Sequence, residues 1–173
     1  MSPNSFEISI TRFSIESDAC EYFAIKLRNL FIFNLLKDKK NVFSIFGTEN
    51  KQNILDYINE NRKEAAKKAA REIGAIVVLK GNESIVCSEN PLQEIYINTT
   101  GNAGMATGGS GDVLAGILAG LTASDTDKNT CFEITCCGVF IHGLCGDMAS
   151  AKYGQRAVKA GDLIDMLKEV VLL

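Results

Sequence analysis

Five glycines and one aspartate lie together in a single short segment of this 173-residue chain. Residues 101–112 read Gly-Asn-Ala-Gly-Met-Ala-Thr-Gly-Gly-Ser-Gly-Asp and directly precede an apolar stretch. Because few side chains block the approach, the backbone N–H groups of such a loop can face a ligand. The first turn of a following helix adds unpaired N–H groups and the positive end of the helix dipole. The segment therefore predicts an anion site suited to phosphate.

Asp112 ends the glycine run, and its position allows two interpretations. A carboxylate at the beginning of a helix is a common cap for the unpaired amides. Beside a phosphate site, the same carboxylate would be placed to act as a general base, taking a proton from a hydroxyl that attacks a phosphoryl group. Since its charge otherwise repels phosphate, a functional reason is needed if phosphate binds there.

Secondary structure that would position the glycine run is predicted upstream of it. Residues 61–73 are rich in strong helix formers, and Gly74 follows where a C-terminal cap is expected. Residues 75–79 form a continuous apolar run typical of a strand buried on both faces. Two more short strands are predicted at residues 84–88 and 94–98.

Three helices are predicted downstream, at residues 113–121, about 131–150 and 161–171. Near the N-terminus, residues 6–15 alternate like a strand, whereas residues 21–36 predict one or two helices. The pattern contains no internal repeat and no flexible linker. It therefore indicates one α/β domain over residues 1–173.

The composition limits the classes of partner. With 46% hydrophobic residues, 23% charged residues and a net charge of −3, the chain is typical of a globular domain with no global attraction to nucleic acid. Apolar stretches such as residues 113–121 are shorter than the roughly 20 residues that span a bilayer. We therefore expect a cytoplasmic protein with no membrane partner.

Cysteine and histidine are the residues that would signal a metal site or disulfides. The six cysteines form no C-x-x-C pair, so buried free thiols are expected. They are Cys20, Cys87, Cys131, Cys136, Cys137 and Cys145. His142, the single histidine, is expected to be packed rather than to bind a metal, and no metal ligand is predicted.

Residues 99–121 as a whole resemble the signature segment of the ADP/ATP-dependent NAD(P)H-hydrate dehydratases, which are members of the ribokinase-like superfamily. Upstream, residues 77–84 (Val-Val-Leu-Lys-Gly-Asn-Glu-Ser) resemble the strand and turn with which the family contacts adenine nucleotide. Downstream, residues 139–147 (Val-Phe-Ile-His-Gly-Leu-Cys-Gly-Asp) resemble the helix that follows the family's site. The resemblance implies a ribokinase-like α/β fold with a mostly parallel sheet flanked by helices.

The resemblance also implies a reaction. The family phosphorylates the hydroxyl of hydrated NADH or NADPH from ADP or ATP, with Mg²⁺ accompanying the nucleotide, and eliminates phosphate. Asp112 would be the base and would contact the substrate. The implied nucleotide contacts are Lys80, Gly81, Asn82, Glu83, Ser84, Asn102, Ala103, Gly104, Met105, Ala106, Thr107, Gly108, Gly109, Ser110 and Gly111.

The resemblance is continuous over residues 54–173 and decays before them. Where the family has Leu-Thr-Pro-His-x-x-Glu, Val42 runs directly into residues 43–47, and the family's first strands have no counterpart. We therefore expect a truncated or degenerate member, whose exposed sheet edge favours pairing as a homo-oligomer. Two alternatives remain: a ribokinase-like small-molecule kinase, and a catalytically silent nucleotide-binding remnant.

Overall fold

The structure, a computed structural model, describes residues 30–32, 51–90, 95–124 and 130–170. The elements in chain order are β1 (Leu30–Ile32), α1 (Lys51–Glu60), α2 (Arg62–Ile73), β2 (Ile76–Leu79), β3 (Ile85–Cys87), β4 (Tyr96–Ile97), a 3-10 helix (Ala103–Met105), α3 (Ser110–Ser124), α4 (Cys131–Tyr153) and α5 (Ala160–Val170). The predicted helices and strands from residue 61 onward are all present, with ends shifted by a few residues.

Local sequence explains how α2 leads into β2. Four alanines of α2 are buried, and their small side chains let the helix lie close to the sheet; they are Ala65, Ala66, Ala69 and Ala70. Gly74 ends the helix in the left-handed conformation with φ 66°, which a glycine adopts without steric cost. All four residues of β2 are buried, as the continuous apolar run predicts.

The four described strands form one sheet in the order β1-β2-β3-β4. β1 is parallel to β2, whereas β2 with β3 and β3 with β4 are antiparallel pairs. The parallel character predicted for the sheet is therefore carried, among the described strands, by β1 and β2. The helix predicted over residues 21–36 is wrong at residues 30–32, because pairing with β2 decides the conformation of this short apolar run.

Helices cover both faces of the sheet. Along β2 successive side chains point to opposite faces, so Val77 and Leu79 pack toward α2 while Ile76 and Val78 pack toward α3 and α4. A third cluster joins α4 to α5 around Leu163, which is fully buried. The α/β class with flanking helices is confirmed.

α4 is the long central helix on one face of the sheet. Thr130 and Glu133 form a capping box at its beginning: the Glu133 amide donates to Thr130 Oγ1 (3.2 Å) and the Thr130 amide to Glu133 Oε2 (2.8 Å). By length and composition α4 is apolar enough to cross a membrane, but half of its apolar segment is buried within the domain. The core helix of an α/β domain has the same composition, and α4 packs in that way.

The cysteine prediction is confirmed in part. The five described cysteines are free, and Cys87 and Cys145 are buried. Cys131 and Cys136 are half-buried, and Cys137 is exposed, so the prediction of burial is wrong at Cys137. Cys20 and the strand predicted at residues 6–15 lie outside the described residues.

The packing of α3 on α4 can be tested at two glycines. A methyl group on Gly138 of α4 would lie 2.5 Å from Leu118 Cδ2 and 3.3 Å from Leu121 Cδ1, whereas one on Gly120 of α3 meets open space. We expect Gly138→Ala to lower the free energy of unfolding by about 1–3 kcal/mol through overpacking. Gly120→Ala should raise it by up to about 1 kcal/mol through helix propensity alone.

Urea unfolding of both variants measures the two effects. Gly120→Ala is the matched control, because both variants gain the same propensity and only Gly138→Ala adds crowding. Equal stabilisation by the two substitutions would contradict the α3 and α4 packing described here.

Candidate functional site

The glycine run connects the end of β4 to the beginning of α3. Two of its glycines have positive φ, Gly101 at 100° and Gly109 at 88°, a conformation that other residues adopt only with strain. Between them lies the 3-10 helix Ala103–Met105. The two glycines divide the run into residues 101–106 and residues 107–111, which differ in how their amides are used.

The strand end before the run is held by one buried and one half-buried polar side chain. Asn98 is 4% exposed, and its Nδ2 donates to the carbonyl oxygen of Thr100 at 2.9 Å. Thr100 Oγ1 donates in turn to the carbonyl oxygen of Phe140 on α4 at 2.9 Å. These contacts attach the entrance of the run to α4.

Residues 101–106 satisfy most of their amides internally. The Gly101 amide and Asn102 Nδ2 donate to the two carboxylate oxygens of Asp147, each at 2.8 Å. The Gly104 amide donates to Asn102 Oδ1 at 2.9 Å, and the amides of the next two residues donate to carbonyls within the same turn. This half of the run is therefore a structural unit built against α4.

Residues 107–111 present their amides differently. Within the described residues, the amides of Thr107, Gly108, Gly109 and Gly111 donate no hydrogen bond, and Gly108 and Gly109 are exposed. The amide of Ser110 makes only a long bond of 3.3 Å to the Thr107 carbonyl. Because these donors lie just before and within the first turn of α3, their partial positive charge adds to that of the helix dipole. This half of the run therefore has the arrangement of amides that the predicted anion cradle requires, and phosphate binding there stays a prediction.

Lys80 brings a positive charge to the cradle. Its Nζ lies 2.6 Å from where a methyl group on Gly111 would be, so the ammonium group sits directly against the beginning of α3. The backbone of Lys80 is held by Arg62, whose Nη2 donates to the carbonyl oxygens of Leu79 (3.4 Å) and Lys80 (3.5 Å). An ammonium group beside amides that have no partner among the described residues is an arrangement that suits a phosphate group.

The rest of the predicted segment 80–84 forms the turn between β2 and β3. Gly81 has φ 143° and Glu83 has φ 53°, and both are exposed together with Asn82. Ser84 Oγ donates to the Gly81 carbonyl oxygen at 3.2 Å, which closes the turn. Glu83 lies near enough to Arg62 to raise the pKa of that guanidinium, against a larger lowering by burial. Lys80 thus reaches the cradle, whereas Glu83 lies beside α2.

Asp112 lies in the first turn of α3 and is exposed. Since the helix begins at Ser110, Asp112 is inside it rather than at the capping position. Its amide donates to the Gly109 carbonyl oxygen at 3.0 Å, and its side chain makes no hydrogen bond to any described residue. The carboxylate is therefore open to solvent at the same helix end as the cradle.

His142 is packed beneath the cradle, as the sequence predicts. It is 7% exposed, and its Nε2 lies 2.9 Å from the carbonyl oxygen of Ser110 and 3.3 Å from Ser110 Oγ. A carbonyl only accepts, so Nε2 carries the proton and donates to it. Burial lowers the pKa of His142 to about 4; the bond to Ser110 opposes this shift, and the charge of Lys80 adds to it.

The low pKa of His142 predicts how stability depends on pH. The unfolded imidazole takes up a proton near pH 6.5 and the folded one near pH 4, so between these values the unfolded state holds more protons. His142 thus contributes stability that is fully present above pH 6.5 and is lost as the pH falls toward 4, by about 3 kcal/mol at most. Urea unfolding from pH 7 to 4 measures this loss.

His142→Gln is the comparison, because the amide donates without titrating and the carboxylates titrate equally in both proteins. As the only histidine, His142 also gives a single imidazole signal by NMR. A midpoint near pH 6.5 for that signal would contradict the burial described here.

Metal ligation was not predicted from the sequence, and the described residues contain no group of three or more His, Cys, Asp or Glu arranged to hold a metal ion. A Mg²⁺ ion bound to a phosphate chain needs only one or two carboxylates from a protein.

The sequence prediction missed Asp147 as a residue of the site. It also assigned the whole of residues 102–111 to nucleotide contact, whereas the amides of Gly104, Met105 and Ala106 are used inside the loop. A local signal for Asp147 exists only in the Gly-x-x-Gly-Asp spacing of residues 143–147, which places two glycines and a carboxylate on α4.

Family comparison extends these observations. Residues 39–169 match the family model described as NAD(P)H-hydrate dehydratase. The bifunctional NAD(P)H-hydrate repair enzyme Nnr of Moorella thermoacetica is 46% identical over 114 residues, which are 66% of this chain and 21% of that enzyme. The chain therefore spans about a fifth of the length of this relative.

Two solved structures share the fold. The ADP/ATP-dependent NAD(P)H-hydrate dehydratase of Bacillus subtilis, co-crystallized with ATP/Mg²⁺ and soaked with CoA, has a TM-score of 0.63 and 27% identity, covering 68% of this chain and 42% of that one. A ribokinase-like superfamily protein of Enterococcus faecalis V583 has a TM-score of 0.54 and 30% identity, covering 66% of this chain and 38% of that one. The fold is ribokinase-like.

Proposed function

Because the chain belongs to the NAD(P)H-hydrate dehydratase family, we propose that it binds the phosphates of ADP or ATP at residues 107–111 and acts in the repair of hydrated NADH or NADPH. The observation that carries the proposal is the convergence of three features at the beginning of α3. These are backbone amides without partners among the described residues, the ammonium group of Lys80, and the exposed carboxylate of Asp112.

The donor set fits a phosphate chain. Amides at a glycine-rich helix N-terminus bind phosphate oxygens without side-chain crowding, and Lys80 adds a full positive charge against Gly111. In the absence of a protein carboxylate cluster among the described residues, Mg²⁺ would enter bound to the nucleotide, where it neutralises phosphate charge. Under this proposal, Lys80 and residues 107–111 contact the phosphates, while residues 101–106 shape the loop.

Asp112 is assigned the role of general base. The hydroxyl oxygen of the hydrate forms a bond to the terminal phosphorus, the bond from that phosphorus to the nucleotide breaks, and Asp112 takes the hydroxyl proton. The C–O bond then breaks with phosphate as the leaving group, and loss of a proton from the neighbouring carbon restores the double bond of the nicotinamide ring. The amides of residues 109–111 stabilise the charge on the transferred group.

The test is recovery of the nicotinamide absorbance when the purified chain is given NADH hydrate with ADP or ATP. We expect Asp112→Asn to lower turnover by a factor of about 10²–10⁴, the usual contribution of a general base. Nucleotide affinity should be kept or increased, since a negative charge beside the phosphates is removed.

Asp165→Asn is the matched control, because Asp165 is an exposed carboxylate on α5 whose ion pair with Lys168 is also exposed. Undiminished turnover by Asp112→Asn would show that Asp112 is not the base. Nucleotide binding by the unsubstituted chain without any turnover would favour the silent nucleotide-binding remnant instead.

A second substitution tests the cradle itself. A methyl group at position 111 would occupy space 2.6 Å from Lys80 Nζ, so Gly111→Ala should displace the ammonium group from the beginning of α3. We expect the dissociation constant for ADP, measured by calorimetry, to rise about tenfold to a hundredfold, as for loss of a charged hydrogen bond.

Gly116→Ala on the same helix is the control, because a methyl group there meets no atom within 4 Å and the site is not involved. Equal affinities for ADP in the two variants would show that the phosphates do not bind at this end of α3. Homo-oligomer formation and a cytoplasmic location stay predictions from the sequence.

A further inference from the structure

Asp147 uses both carboxylate oxygens on the glycine run. One oxygen accepts from the backbone of Gly101 and the other from the side chain of Asn102, so the two bonds fix both the position and the direction of the chain there. Hydrogen bonds to an ionised acceptor are stronger than those between neutral groups. Asp147 is half-buried on α4, a helix held in place by the core.

Asn102 carries the contact further into the loop. Its Oδ1 accepts from the Gly104 amide at 2.9 Å and from Ser150 Oγ at 2.6 Å, while its Nδ2 donates to Asp147. The opposite amide orientation would place N–H groups against these donors, so the surrounding groups determine which atom is oxygen. Asp147 and Ser150 are three residues apart on one face of α4 and hold Asn102 from two sides.

The far end of the run is attached to the same helix. His142 donates to the carbonyl oxygen of Ser110, and His142 precedes Asp147 by five residues, or about 7.5 Å along the axis of a helix. The glycine run is thus hydrogen-bonded to α4 near its beginning, at Gly101, and again near its end, at Ser110. Residues 107–109, whose amides donate to no described residue, lie between two points fixed on one rigid element.

A carboxylate close to a phosphate site would ordinarily oppose anion binding. The Asp147 carboxylate instead accepts hydrogen bonds from two loop donors, so its charge holds the loop in place. We propose that Asp147 is a positioning residue: it holds Gly101 and Asn102 on α4 so that the amides of residues 107–111 keep the spacing that binds nucleotide phosphates. This inference rests on the function proposed above.

The experiment compares Asp147→Asn, Ser150→Ala and the control Asp165→Asn in the full 173-residue chain. In Asp147→Asn, the side-chain amide that replaces the carboxylate would turn an N–H group toward a donor, so we expect the dissociation constant for ADP to rise about tenfold or more. Ser150→Ala removes one bond to Asn102 and should cause a smaller rise. Asp165→Asn should cause none.

Hydrogen exchange by NMR, without nucleotide, separates positioning from general stability. Asp147→Asn should speed exchange of the Gly101 and Gly104 amides and leave the buried amides of Val77 and Val78 in β2 unchanged. Equal acceleration in β2 would overturn the proposal, because Asp147 would then act through the stability of the whole domain. Unchanged ADP affinity in a folded Asp147→Asn chain would also overturn it.

The proposed function and this inference fail in different ways. If the unsubstituted chain binds no ADP, the proposed function is wrong, and the exchange of Gly101 and Gly104 alone decides whether Asp147 holds the loop. If Asp147→Asn does not fold, Ser150→Ala provides the same measurements, and unchanged affinity and exchange in that variant would overturn the inference.

Discussion

The glycine run lies so close to α4 that two positions on the helix have no room for a side chain. A methyl group on Gly143 would meet the backbone of Thr100, and one on Gly146 would meet the thioether of Met105. With larger residues there, the run would be held away from the helix, beyond the reach of Asp147 and His142. Packing on the inner side of the loop therefore determines the arrangement of donors on its outer side.

The charges around the loop are arranged so that the outer side stays positive. Asp147 is satisfied by loop donors, and His142 is neutral in the physiological range because burial and the nearby Lys80 both lower its pKa. In the proposed site, the attraction for an anion depends on backbone amides, the helix dipole and the ammonium group of Lys80. Among the described residues at this helix end, Asp112 is exposed to solvent, which suits the proton transfer proposed for it.

Much of the architecture could be predicted because its signals are local. The alanine-rich α2, the Gly74 cap and the apolar β2 each follow from neighbouring residues, and the glycine run is contiguous in sequence. β1 could not be predicted, since a three-residue apolar run is equally compatible with a helix and only pairing with β2 makes it a strand. The meeting of Lys80 with Gly111 likewise depends on how the layers stack. Asp147 is 45 residues from Asn102, and no local pattern connects them.

Because both ends of the run are attached to one helix, the loop tolerates some changes of sequence and not others. The distance between the two anchors is set by α4, so the number of residues that bridges it is set as well. Replacing an exposed side chain such as that of Ala103 or Ala106 leaves the path of the backbone intact. Inserting or deleting a single residue between Gly101 and Ser110 would force the backbone off that path. For a site made of main-chain donors, chain length is thus a stricter requirement than side-chain identity.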